Sequence, residues 1–77
     1  MPFDPKVMGA VIRKLRKKRK ITQDVFSGFA AISRSHLAAL ERGHTAKVET
    51  YDKIATAFDM PLSELFHLVE EEMNKEA

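Results

Sequence analysis

The 77-residue chain contains no cysteine and no tryptophan, and it has only three glycines and three prolines. The absence of cysteine excludes a disulfide framework and a thiolate zinc site. No apolar run approaches the roughly 18 residues that a transmembrane helix requires. The N-terminal segment MPFDPKVMGA lacks the basic-then-apolar order of a secretory signal peptide. Together these absences predict a soluble, cytoplasmic protein.

The positive and negative charges are distributed unevenly along the chain. Residues 1–47 carry 11 Lys/Arg and 3 Asp/Glu, whereas residues 48–77 carry 2 Lys/Arg and 8 Asp/Glu. Within the segment RKLRKKRK, residues 13–20, seven of the eight side chains are cationic. This asymmetry predicts one surface that faces a polyanion. A solvated helix face, for which the charge has no function, is the alternative.

Capping signals divide the chain into short helices. Asp4 precedes Pro5, and Thr22 and Ser33 are likewise residues that cap the first turn of a helix. Gly43 is in the usual position of a glycine just past a helix C-terminus. The second helix should end near residue 30 or 31, so only about three residues separate it from the third. Helices joined by so short a turn cross steeply, which predicts a helix-turn-helix unit at about 22–42.

Apolar residues at helical spacing predict the side that each helix buries. The fourth helix is expected at about 47–58, and the fifth starts near 61–63. In the first three helices the predicted inward residues are Met8, Val11, Ile12 and Leu15, then Phe26, Phe29 and Ala30, then Leu37 and Leu40. In the last two they are Val48, Tyr51, Ile54, Ala55 and Phe58, then Leu62, Leu65, Phe66, Val69 and Met73. The stretch EEEMNKEA at the end is expected to fray. No stretch alternates long enough to predict a strand. The expected fold is therefore all-α, a five-helix single domain over residues 1–77.

The third helix has the residues that reading DNA requires. A reading helix needs small or polar side chains on its outward N-terminal face, where it meets base edges in the major groove. Arginine can make a bidentate contact to guanine, and alanine allows close approach to a thymine methyl. At the amino end of the second helix, Gln23 and backbone N–H groups can hold a phosphate. The candidate base-reading residues are Arg34, Ser35, His36, Ala38 and Ala39.

Five motifs in order along nearly the whole chain resemble the helix-turn-helix family of phage repressors, Cro and the Xre-like bacterial regulators, with their lambda-repressor-like DNA-binding domain. The motifs are Gly9-x-x-Ile12-Arg13-x-Leu15-Arg16, Ile21-Thr22-Gln23, Ile32-Ser33-Arg34-Ser35-His36-Leu37, Leu40-Glu41-Arg42-Gly43, and the pair Ile54-Ala55-x-Ala57-Phe58 and Met60-Pro61-Leu62-Ser63-Glu64-Leu65-Phe66. Three features depart from the family pattern. Ala31 in the turn and Lys20 before the second helix replace its usual glycines, and the loop after Gly43 is about one residue short and lacks its common proline.

The resemblance implies roles for particular residues. In the family, the residues at the positions of Arg16 and Glu41 form a pair, and the outward face of the third helix contacts the bases. Members of the family usually bind DNA as two-fold dimers, often through the last helix, here about 61–77. The resemblance implies phosphate contacts at Gln23, Arg42, His44, Thr45 and Lys47. Thr22 and Lys17, near the entry to the second helix, are further candidates for phosphate contact. The apolar stripe of the fifth helix predicts dimer contacts at Leu65, Phe66, Val69 and Met73.

The predicted function is a transcriptional regulator that binds an inverted-repeat operator in double-stranded DNA as a homodimer, at the nucleoid. Restriction–modification controller proteins, which have this length, are the favoured subtype. Two alternatives remain open: an antitoxin that also binds a toxin, and an interaction module that has lost DNA binding. RNA polymerase is a further possible partner. The scattered histidines lack metal-site spacing, so we expect no cofactor, no small-molecule substrate, no enzymatic activity and no membrane binding.

Overall fold

A computed structural model describes residues 3–76, which form five α-helices. The helices are α1 (Pro5–Lys18), α2 (Gln23–Ala30), α3 (Arg34–Glu41), α4 (Val48–Ala57) and α5 (Leu62–Glu76). No strand occurs within residues 3–76, and the predicted all-α, five-helix fold is confirmed. We predicted that the segment from residue 70 frays. In the structure α5 extends to Glu76, with Met73 packed against the core and Glu72 in an ion pair with Lys14 of α1 (3.3 Å).

Three side chains cap the helices at the predicted positions. The Asp4 carboxylate accepts a hydrogen bond from the Lys6 backbone N–H (2.9 Å), which starts α1. The hydroxyls of Thr22 and Ser33 accept from backbone N–H groups three residues later, at 3.2 and 3.0 Å. Each bond satisfies an N–H that has no partner within its helix. The local sequence therefore determines where α1, α2 and α3 begin.

The two non-glycine residues at the family's glycine positions adopt the backbone conformation that glycine favours. Lys20 has a φ of 59° and Ala31 a φ of 56°. The turn after α2 is closed by hydrogen bonds from the Ala31 N–H to Gly28 O (3.2 Å) and from the Ile32 N–H to Ser27 O (3.1 Å). A left-handed conformation costs a non-glycine residue roughly 1–2 kcal/mol. The substitutions thus lower stability but leave the turn geometry intact.

A single apolar core lies between the helices. Its interior includes the stacked rings of Phe26 and Phe58, whose centroids are 4.3 Å apart. Helix α1 packs against α3 and α5, α2 packs against α3 and α4, and α4 packs against α5. The fully buried large side chains are Met8, Ile12, Phe26, Leu37, Leu40, Ile54, Phe58, Leu65 and Val69.

Two predicted inward residues point outward instead. Phe29 is 66% exposed, because the inward side of α2 consists of Phe26, Ala30 and Ser27. Ser27 can be buried at that position because its hydroxyl donates to the Asp24 carbonyl oxygen (2.9 Å). Val48 is 59% exposed, since it lies in the first turn of α4, beyond the buried residues of that helix. The predictions that Phe29 and Val48 face the core are therefore wrong.

Gly9 allows α1 to approach the end of α3 closely. A Cβ atom at this position would collide with the carbonyl oxygen of Leu40 and lie 2.9 Å from that of Glu41. Both obstacles are backbone atoms, which cannot rotate away as a side chain can. Any larger residue at position 9 would therefore push the two helices apart.

We predict that Gly9→Ala lowers the free energy of unfolding by at least about 2 kcal/mol, because it overpacks a rigid contact. Gly28→Ala is the matched control, since nothing lies within 4 Å of a Cβ at that helical position. The control should be neutral or more stable by about 0.5–1 kcal/mol, because alanine favours helix over glycine. Chemical denaturation measures both changes. Equal stability of the two variants would contradict the close packing of α1 on α3.

Candidate nucleic-acid interface

A buried ion pair joins α1 to the end of α3. The Arg16 guanidinium donates two hydrogen bonds to the Glu41 carboxylate, from Nε to Oε2 (2.7 Å) and from Nη2 to Oε1 (3.0 Å). Their side chains are only 9% and 3% exposed. The remaining Arg16 nitrogen, Nη1, donates to the Ile21 carbonyl oxygen (2.8 Å). Because bidentate pairing fixes both distance and orientation, the position of α3 follows that of α1.

Gln23 extends this ion pair to α2. Its Nε2 donates to Glu41 Oε1 at 3.1 Å, so one carboxylate receives bonds from the first two helices. We predicted that Gln23 contacts a phosphate, and its amide has a second N–H that the bond to Glu41 does not use. The sequence did not predict the contact with Glu41, since it joins residues 18 positions apart through the tertiary fold.

The surroundings of Glu41 favour its charged form. Burial raises the pKa of the Glu41 carboxyl, but hydrogen bonds from Arg16 and Gln23 and the positive charges of Arg16 and Arg13 lower it more, so that the net pKa lies below its usual range. A lowered pKa in the folded state means that ionised Glu41 stabilises the fold above the pKa of the unfolded chain, about 4.3. That stabilisation is lost as the pH falls through the folded-state pKa.

We predict that Glu41→Ala lowers the free energy of unfolding by about 3 kcal/mol at pH 7, because it leaves the buried Arg16 charge unpaired. The variant should also lose stability less steeply than the wild type below about pH 4.3. Glu72→Ala, which removes an exposed ion pair with Lys14, is the control and should change stability little. Denaturation curves from pH 7 to pH 3 measure these effects. An unchanged stability of Glu41→Ala would rule out the structural role of the pair.

The predicted base-reading residues lie together on α3. Arg34, Ser35 and His36 are exposed in its first turn, and Ala38 and Ala39 are half-buried in the next. Leu37 and Leu40 lie on the opposite side of the helix and face the core. The outward side of the helix therefore consists of polar and small residues. This is the surface chemistry that contact with base edges requires.

The amino ends of α2 and α3 border a shallow concavity of about 380 Å³. It is lined by Arg16, Thr22, Gln23, Asp24 and Arg34. Asp24 Oδ1 lies 3.9 Å from Arg34 Nε across this concavity. No local pattern in the sequence predicts this pair, because the two residues lie on different helices and meet only through the turn between them.

The predicted phosphate contacts surround this concavity only in part. Thr22 uses its hydroxyl to cap α2, which leaves its phosphate contact a prediction. Lys17 is exposed on α1, and Arg42, His44, Thr45 and Lys47 are exposed after α3. All of them are free to meet an external anion.

The loop after α3 is held in a defined conformation. Gly43 has a φ of 104°, and the His44 N–H donates to the Ala39 carbonyl oxygen (3.1 Å). The Ala46 N–H donates to the Tyr51 hydroxyl (3.2 Å), and burial raises the pKa of that hydroxyl although this bond partly offsets the effect. We assigned Tyr51 only to the core, and the structure adds the role of anchoring this loop.

Three of the seven cations in residues 13–20 have partners within the protein. Arg16 is bound to Glu41, and Lys14 forms the exposed pair with Glu72. The Arg19 guanidinium donates a hydrogen bond to the Phe58 carbonyl oxygen (2.6 Å), and it lies 5.2 Å from the centre of the Phe58 ring. Part of this basic segment therefore connects α1 to α3, α4 and α5, and the other four cations, Arg13, Lys17, Lys18 and Lys20, are exposed and available to an external polyanion.

Two of the four predicted dimer residues belong to the core of the chain itself. Leu65 and Val69 are 0% and 2% exposed, so they are core residues of one chain, although Val69 also lines the groove described next. Phe66 and Met73 are half-buried and line an open apolar groove of about 480 Å³. Phe3 and Val48 lie at the same groove, and Phe3 packs its ring 5.9 Å from the rings of Tyr51 and Phe66.

Within the part of the chain that the structure describes, no cluster of three or more acidic or histidine side chains is arranged to hold a metal ion. The helices over the same residues include none with the length and apolar character needed to cross a membrane.

Comparisons with known proteins agree with this geometry. A family model described as a helix-turn-helix domain matches residues 9–71. The structure resembles the restriction–modification controller protein C.AhdI from Aeromonas hydrophila, with a TM-score of 0.75 and 27% identity over 79% of this chain and 94% of that one. It also resembles the controller C.Esp1396I (TM-score 0.84, 18% identity, 97% and 99% covered) and the clp gene regulator ClgR from Corynebacterium glutamicum (0.86, 20%, 97% and 81%). No curated protein matches the sequence.

Proposed function

Because the chain belongs to the helix-turn-helix domain family, we propose that it is a transcriptional regulator that binds double-stranded DNA in a sequence-specific manner. The observation that carries this proposal is the exposed, polar and small-residue face of α3. That face is held by the contacts of Gly9 and Arg16 with the end of the same helix. Short helices held in this way can enter the major groove with their first turn against base edges.

In the proposed complex, Arg34 reads a guanine, and Ser35, His36, Ala38 and Ala39 meet the neighbouring base edges. The backbone contacts come from the amino end of α2, with Thr22 and Gln23, and from Lys17, Arg42, His44, Thr45 and Lys47. These side chains lie before and after α3, so they can hold the two sides of the groove. The phosphate contacts supply most of the affinity and the base contacts supply the sequence preference.

We assign the dimer contact to the groove between α4 and α5, which part of the predicted α5 stripe lines together with residues from outside α5. Phe3 and Val48 are exposed at the edge of this groove, and Phe66 and Met73 line it. An apolar projection beside an apolar depression on one face suits a two-fold contact, in which each copy fills the depression of the other. Such a dimer would present two copies of α3 to two DNA half-sites.

The favoured subtype is a restriction–modification controller. Its support is the similarity to C.AhdI, a protein with that printed name, most of whose length this chain covers at 27% identity. A controller of this kind should recognise a site upstream of restriction and modification genes in its own genome.

The experiment that tests the function selects binding sites from a pool of random duplexes, using the purified chain near physiological salt. We expect two inverted half-sites centred about 10 base pairs apart. Recovery of no common sequence would contradict sequence-specific binding. The position of the recovered site in the genome would then test the controller subtype.

We predict that Arg34→Ala weakens binding to the selected site by about 1–3 kcal/mol and relaxes the preference at one base pair. Arg42→Ala, which removes a proposed phosphate contact, should weaken binding by a similar factor on every sequence and reduce the salt dependence. Titrations of both variants against the selected site and its single-base variants measure the difference. An equal loss on all sequences for Arg34→Ala would make that residue a phosphate contact.

We predict that Val48→Glu raises the dimer dissociation constant at least about tenfold, because the apolar contact would bury an unpaired charge. Val25→Glu is the matched control, since Val25 is also exposed but lies on α2, away from the groove. Sedimentation velocity over a range of protein concentrations measures both. A dimer that resists Val48→Glu, or one that only Val25→Glu disrupts, would move the contact to another surface.

An exposed apolar pair favours a second candidate, in which the chain binds another protein. Val25 and Phe29, four residues apart on α2, are 47% and 66% exposed. A toxin or RNA polymerase could use this pair, whether or not DNA is also bound. The dependence of the binding affinity on salt concentration distinguishes DNA binding from protein binding. A DNA complex with about six phosphate contacts loses roughly a thousandfold in affinity between 50 and 200 mM salt, whereas an apolar protein contact changes little.

A further inference from the structure

Asp24 places a negative charge where a DNA phosphate would approach. It lines the concavity between the amino ends of α2 and α3, next to Gln23 and Arg34. Its side chain is 76% exposed, so its charge is solvated by water and needs no ion-pair partner within the protein. A carboxylate at this place opposes binding to any duplex, because duplexes of every sequence carry the same phosphate charge.

The other two acidic residues in the basic half of the chain have structural explanations. Asp4 caps α1, and Glu41 is buried against Arg16. Asp24 makes neither kind of contact, although its place in the first turn of α2 suits a negative charge. Its side chain instead lies beside Arg34, the residue proposed to read a guanine.

The geometry of the Asp24–Arg34 pair leaves the arginine free to read a base. The carboxylate oxygen Oδ1 faces Nε of the guanidinium at 3.9 Å. A separation of 3.9 Å is a charge contact rather than a hydrogen bond, so it occupies none of the guanidinium donors and leaves Nη1 and Nη2 available. Those two nitrogens can make the bidentate contact to guanine O6 and N7. The same carboxylate competes with phosphate for Arg34 when no guanine is present.

We propose that Asp24 contributes to the sequence specificity of this protein: its charge opposes every duplex to the same extent, and its position beside Nε of Arg34 favours the orientation in which the arginine reads a guanine, so that only the cognate complex regains the lost affinity. The inference rests on the proposed DNA-binding function. Asp24 is a positioning residue in this account: it lowers affinity for non-cognate duplexes and keeps affinity for the cognate one. The ratio of the two dissociation constants is the quantity that it controls.

The test compares Asp24→Asn with Asp52→Asn, which makes the same charge change at an exposed position on α4. Dissociation constants are measured for the selected site and for a duplex of scrambled sequence, at one salt concentration. Asp24→Asn should tighten binding to the scrambled duplex about two- to fivefold, since one nearby repulsive charge is removed. It should not tighten binding to the selected site, so the specificity ratio falls. Asp52→Asn should leave the ratio unchanged.

Two further variants keep the outcome clear. Asp24→Ser should act in the same direction as Asp24→Asn, and melting curves check that both variants remain folded. In an Arg34→Ala background, Asp24→Asn should tighten binding to both duplexes equally and leave the ratio unchanged, because no arginine remains to be oriented. If Asp24→Asn and Asp52→Asn give the same ratio while the wild type binds its site, the role of Asp24 is refuted and the proposed function stands. A wild type without salt-dependent DNA binding refutes both.

Discussion

The contact between α1 and the end of α3 determines where every proposed DNA-contacting residue lies. The Arg16–Glu41 ion pair fixes the orientation of α3, and the missing side chain of Gly9 sets how close the two helices come. Gln23 connects the same carboxylate to α2. Since a bidentate pair with so little solvent exposure cannot shift without leaving a charge unpaired, α3 and the amino end of α2 behave as one rigid unit. Rigid placement of this kind is what makes base reading selective.

The cations of the basic segment at residues 13–20 have two different roles in the structure. Part of the basic segment at residues 13–20 supports the fold, through Lys14, Arg16 and Arg19, which bind α5, α3 and α4 respectively. The remaining cations are exposed and supply the long-range attraction that guides a protein to a polyanion. Asp24 adds the opposite charge close to the reading helix. In our account, the exposed cations attract any duplex at long range, Asp24 weakens the close approach of any duplex, and the contact of Arg34 with a guanine restores affinity for the correct sequence.

Sequence reasoning succeeded where the determining interactions are local. The starts of α1, α2 and α3 follow from caps that bond to residues two or three positions away, and such bonds are visible in the sequence. It failed where tertiary packing decides. Phe29 is exposed although it was predicted to face the core, and Leu65 and Val69, which were predicted both to face inward and to form a dimer contact, are buried within the chain itself. The contacts of Gln23 with Glu41 and of Asp24 with Arg34 were also missed, because no local pattern encodes them. The Arg16–Glu41 pairing came from the family resemblance, since spacing alone does not predict a contact across 25 residues.

The most direct test of the central claim is to follow the backbone amide signals of the isotopically labelled protein by NMR while a duplex carrying the selected site is added. The account predicts that the largest changes occur at residues 22–24, 33–39 and 42–47, which border the amino ends of α2 and α3 and the loop after α3. Changes concentrated in the α4–α5 groove or along the exposed side of α1, with those three segments unaffected, would contradict it. In that case the rigid unit formed by α1, α2 and α3 would serve another purpose.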